Sequence, residues 1–94
     1  MDNKPKMLEI DLINNQFELE EAKNLLMQLI QDKINFHVSK NFSHQERFGK
    51  DDDLSKTRID ELKIEKENLK AQFEKASSDY SKVEINTTIF LSFK

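Results

Sequence analysis

From Lys82 to Phe93 the chain alternates with a period that no helix satisfies. Val83, Ile85, Thr87, Ile89, Leu91 and Phe93 fall on one side of an extended backbone. Phe90 falls on the other. Near the opposite terminus Leu8, Ile10 and Leu12 alternate with Met7, Glu9 and Asp11. Between the two stretches the apolar residues recur at helical spacing. The order strand, helix, helix, strand follows, and with it the α+β class. The sequence predicts a β-α-α-β domain with a long antiparallel helical hairpin. An antiparallel terminal β-ribbon completes a sheet in an oligomer.

The element boundaries come from turn and cap chemistry. Residues 1–5 are polar and end at Pro5, the single proline, so this segment is expected to fray. The first strand is predicted over 6–13, with Met7 and Ile13 off its apolar face. Asn14-Asn15-Gln16 reads as a turn, because asparagine tolerates left-handed backbone. Glu18, Glu20 and Glu21 suit a helix amino end, where the dipole favours negative charge. The first helix is predicted over 18–47, with Leu19, Ala22, Leu26, Leu29, Ile30 and Ile34 on its apolar stripe. Leu25 and Met27 widen that stripe, enough to touch both the second helix and the sheet.

Gly49, the single glycine, stands where a left-handed cap would stop the helix. Residues 48–53 form the turn, and Asp52 or Asp53 caps a second helix over 54–78. The second stripe is Ile59, Leu62, Leu69, Phe73 and Ala76, extending toward Tyr80 and interrupted by Lys66. Lys63–Glu67 and Lys70–Glu74 are spaced to pair on the outer face. Leu26, Ile30, Leu62, Leu69 and Phe73 should hold the hairpin together. Ser77-Ser78-Asp79 ends it, and the last strand runs over 82–93. A 30-residue helix is about 45 Å long and an 11-residue strand about 36 Å. A hairpin beside such a ribbon overhangs it by roughly 10 Å.

Composition points to a partner. The 94 residues form a single domain, 1–94, with 36% hydrophobic and 35% charged residues. That is too apolar for a disordered tail and too polar for a well-filled small core. A two-stranded ribbon is marginal alone and leaves unpaired edges. Ile85, Ile89, Phe90, Leu91 and Phe93 are therefore predicted as an oligomer interface, with a symmetric homodimer the simplest form.

Several chemistries are excluded. No cysteine is present, so there is no disulfide framework, thiol nucleophile or thiolate metal site. No apolar run reaches the roughly 18 residues of a membrane helix. No basic segment leads into an apolar leader, and a cytoplasmic location is expected. The triplets Asn41-Phe42-Ser43 and Asn86-Thr87-Thr88 then carry no sugar. Net charge is −3 without a basic stripe, which argues against nucleic acid. One glycine rules out phosphate-cradling loops, and no cofactor is predicted.

The distal half of the first helix is the candidate site. The line of the apolar stripe continues past Ile34 as His37, Asn41, His44 and Phe48. Pairing the helices about the turn sets His37 opposite Glu65 or Lys66, Asn41 opposite Leu62, and His44 near Ile59. His37, Asn41, His44, Arg47, Phe48 and Arg58 are the candidate ligand- or partner-binding residues. The same residues also read as a packed polar layer that fixes helix register. Phe42 and Phe48 beside Arg47 have the composition of a protein contact spot. His37 and His44 lie about 10 Å apart along the axis, too far to share one metal ion. Asp51-Asp52-Asp53 lacks the alternation and central glycine of a calcium loop. Ser43 and His44, adjacent on a helix, point about 100° apart and make no catalytic dyad. The sequence thus predicts a non-catalytic, homo-oligomeric protein-interaction module that contacts itself and another protein. The competing expectation is a small-ligand, possibly nucleotide, binding or sequestering protein with a site at the hairpin or between chains.

Overall fold

The computed structural model describes residues 7–94. Its elements are β1 (Met7–Glu18), α1 (Leu19–Phe48), α2 (Asp53–Ala76) and β2 (Lys82–Ser92). The α+β class and the β-α-α-β order are as the sequence predicts. β1 and β2 form a two-stranded antiparallel sheet. Residues 1–6, where fraying and the first strand residue were expected, lie outside the described residues.

The main departure is in β1. Asn14-Asn15-Gln16 is strand and not turn: Asn14 pairs with Asn86, Asn15 with Ile85 and Gln16 with Glu84. The register shifts between Asp11 and Ile13, so Leu12 is the extra residue of a β-bulge. The bulge resets the alternation. Ile13 pairs with Thr87 and Phe17 with Val83, which returns both to the side of Leu8 and Ile10. Ile13 therefore belongs to the apolar face, contrary to the simple period-two expectation. That face runs Leu8, Ile10, Ile13, Asn15 and Phe17 on β1 against Leu91, Ile89, Thr87, Ile85 and Val83 on β2.

β1 enters α1 without a loop. Glu18 is extended, at φ −62° and ψ 148°, and Leu19 is already helical. The Leu19 N–H donates to the Ser81 carbonyl at 3.3 Å and ties this junction to the chain entering β2. The acids Glu20 and Glu21 occupy the first turn, as the helix dipole favours. At the far end Gly49 adopts φ 72°, and its N–H donates to the Gln45 carbonyl at 2.7 Å. The left-handed cap predicted there forms. α2 ends two residues earlier than predicted. The Ser77 and Ser78 hydroxyls bond the carbonyls of Glu74 and Lys75, drawing the chain out of the helix. Tyr80 lies beyond that end and is exposed.

The hairpin core is thin. Ala22 and Ile34 of α1 and Leu62 of α2 are buried, and Leu26, Ile30, Leu69 and Phe73 are half-buried. Lys66 interrupts the second stripe as expected, and its ammonium donates to the Gln31 side-chain oxygen of α1 at 2.7 Å. Neither Lys63–Glu67 nor Lys70–Glu74 closes to an ion pair; among the described residues the pairs are Lys56–Asp51, Arg58–Glu61 and Arg58–Glu65.

The ribbon does not lie along the hairpin. α1 touches the strands only at its root, and α2 makes no backbone approach to the sheet. Extents of 49 × 44 × 14 Å describe a thin slab with two arms set at a steep angle. The expected side-by-side packing with a 10 Å overhang is therefore corrected. The cause is the junction: with no turn after β1, the chain has no means of folding the ribbon back. The radius of gyration is 17.5 Å, where a compact chain of this length has about 12 Å.

Candidate functional site

The polar seam of α1 ends in a knot at the hairpin tip. Four residues, 49–52, connect the helices, so the turn backbone must be satisfied by nearby side chains. Asn41 is one of the side chains that do this. Its carbonyl oxygen accepts from the Asp52 N–H at 2.6 Å, and its amide donates to the Asp51 carboxylate at 3.3 Å. His44 Nδ1 lies 2.9 Å from the Lys50 carbonyl oxygen. Asp51 is the hub, also accepting from Gln45 and from Lys56, the latter at 3.0 Å. These donors hold its carboxyl below the usual range, with the Lys56 bond the largest cause. Asp52 stands at the helix N-cap, yet its carboxylate accepts the Ser55 hydroxyl at 2.9 Å. That bond lowers the Asp52 pKa, and Ser55 is fully buried.

The candidate residues do not gather in one place. Asn41 and His44 are committed to the turn, with the polar atoms of Asn41 directed to Asp51 and Asp52. His44, Arg47 and Phe48 line a shallow open groove of about 220 Å³ with Lys40, Ser43 and Asp52. The His44 and Phe48 rings stand 4.7 Å apart within it. Arg58 belongs to neither group; its guanidinium binds Glu61 at 3.0 Å and reaches Glu65 at 4.0 Å on the α2 surface. His37 stands apart. It meets the Phe36 ring edge-on at 5.2 Å, and its buried Nδ1 has no hydrogen-bond partner. Desolvation, then the charges of Lys33, Lys40 and Arg58, depress its pKa, with Asp52 opposing.

Sequence reasoning did not single out Asp51, Gln45, Lys56 or Ser55 as a network. The contiguous acids signalled a helix cap, and position alone could not say which of them would gather partners. No cluster of three or more metal-ligating side chains occurs among the described residues. No described helix is long and apolar enough to cross a membrane.

The ribbon carries the larger unpartnered surface. Ile85 is only 8% exposed and is already covered within its own chain. Farther out, Ile89 and Leu91 are 37% and 38% exposed, and Phe90 and Phe93 are 69% and 62% exposed. Phe93 lies just past the end of β2. Leu8 and Ile10 on β1 are likewise open. At the ribbon root a groove of about 240 Å³ lies between Val83 and α2, lined by Leu19, Gln72, Phe73 and Ala76. No family model, curated protein or solved structure matches this chain.

Proposed function

We propose that this chain is a non-catalytic, homo-oligomeric interaction module of the cytoplasm, joined through its ribbon and presenting its hairpin tips to another protein. The observation that carries the reading is the imbalance of cover. Among the described residues, four apolar residues are buried while sixteen large hydrophobic side chains are exposed. The accessible surface is 7749 Å², against about 5,700 Å² for a compact monomer of this mass. The surplus exceeds the roughly 800 Å² per partner of a standard interface. The ribbon is the natural place for that contact, since two strands alone are marginal and their outer apolar face is bare.

The tip suits a second contact. Phe42 and Phe48 are exposed near Arg47 at the end of α1, beside a turn held by Asn41 and Asp51. The small-ligand reading has less support. The tip groove is open and smaller than the roughly 300–1,000 Å³ of ordinary ligand sites.

Light scattering at micromolar concentration tests the reading, with more than one chain per particle expected. The double substitution Ile89→Lys and Leu91→Lys should give single chains that keep their helical circular dichroism. A wild-type particle of one chain, or a double variant of unchanged mass, would count against association through the ribbon.

A further inference from the structure

Resting on that reading, we infer that the occupant of the open ribbon is β2 of a second copy, paired antiparallel about a twofold axis at Thr87. In this arrangement Leu91 and Phe93 of each chain reach the root groove of the other.

The argument starts from which edge is free to pair. β1 carries the Leu12 bulge and the acids Glu9, Asp11 and Glu18, devices that discourage edge pairing. β2 has no bulge. From Ile85 to Phe93 it holds no charge and no proline, and β-branched and aromatic residues dominate. An edge of that kind recruits another strand unless it is covered.

The register follows from the pattern along β2, which spans Lys82–Ser92 and has Thr87 at its centre. Its apolar face reads Val83, Ile85, Thr87, Ile89, Leu91, and reversing the order preserves the sequence of aliphatic, aliphatic, threonine, aliphatic, aliphatic. Antiparallel pairing about Thr87 sets Ile85 against the partner's Ile89 and Val83 against the partner's Leu91. It uses the whole strand and keeps the apolar side chains of both copies on one face. On the other face Glu84 meets the partner's Phe90 and Lys82 meets the partner's Ser92, so no like charges face each other.

The same axis solves the problem of cover. The inner half of each ribbon is sheltered by its own helices, and the outer half is bare. Reversal about Thr87 places each bare half beside the sheltered half of the other copy. The partner's Leu91 arrives next to Val83, and the partner's Phe93 continues toward Ser81. Both then stand over the groove formed by Leu19, Phe73, Ala76 and Val83.

Nitroxide labels on single cysteines test this directly, since the chain has none of its own. Glu84→Cys and Phe90→Cys lie on the outer face, each three residues from Thr87. Both homodimers should give equal label separations, near 20 Å for six residues at about 3.4 Å each. A register slipped by two residues, the smallest slip that keeps the apolar faces together, would separate the two values by about 14 Å. Phe93→Ala should weaken the dimer roughly tenfold or more without changing the circular dichroism spectrum. A two-chain particle with unequal separations, or an undiminished Phe93→Ala dimer, would overturn this pairing and leave the general reading standing. A one-chain particle would overturn both.

Discussion

At the scale of single residues, the tip is held by a few polar side chains with definite partners. Asn41 holds the turn backbone directly, since its side-chain oxygen accepts the otherwise unpaired Asp52 N–H. Asn41→Ala should cost about 1–3 kcal/mol in urea unfolding, because that N–H would be left partly buried without an acceptor; an unchanged midpoint would show that water replaces the side chain freely. Gly49 at φ 72° was legible in the sequence, because one glycine at the end of a helical pattern has few other uses. Gly49→Ala meets open space but keeps the left-handed strain, and should lower stability by about 1 kcal/mol in the same measurement. His37 gives a pH dependence whose sign is fixed. Its folded pKa lies below the ordinary 6.5 of the unfolded chain, so the unfolded state takes up a proton first. Stability should therefore fall as pH drops from about 7.5 to about 5.5 at constant protein concentration, and His37→Gln should flatten that slope. An equal slope in the variant would assign the effect elsewhere. The Asp51 hub was not legible. Its partners Asn41 and Gln45 lie on α1 and Lys56 on α2, and only the closed turn brings them together.

At the scale of elements, helix and strand identity was readable, and one boundary was not. The period-two signal of β1 stops at Leu12 because the bulge adds a residue there, and the polar Asn14-Asn15-Gln16 then mimics a turn. The missed clue was Ile13, Asn15 and Phe17, which resume alternation in the opposite phase. A test by deletion follows. Removing Leu12 erases the bulge and leaves Leu8, Ile10, Ile13 and Phe17 in phase, so the variant should fold with a melting midpoint near that of the wild type. Removing Thr87 from the facing strand sets Val83 and Ile85 out of phase with Ile89 and Leu91, and should lose the sheet. Circular dichroism melts of both variants decide the point; equal damage would mean that register is not governed by the apolar face. The wide stripe of α1 predicts contact with helix and sheet together. Its direction was correct, but contact with the sheet is confined to the root, since spacing along a helix says nothing about the angle of the chain entering it.

At the scale of the whole molecule, the shape is an open angle with little interior. The sequence pointed to insufficient cover through its low apolar fraction and its terminal ribbon. It could not show that the ribbon projects away from the hairpin, which depends on the backbone at Glu18. The prediction at this scale is a mass: the wild type should travel as more than one chain, and Ile89→Lys with Leu91→Lys as one.

The seamless passage from Glu18 to Leu19 has a mechanical consequence. With no slack joint between strand and helix, a force on a hairpin tip is delivered to the sheet as torque, so two such chains bolted at their strands would behave as a rigid yoke. Splicing a few flexible residues into that passage would uncouple the arms and let the spacing between the tips drift.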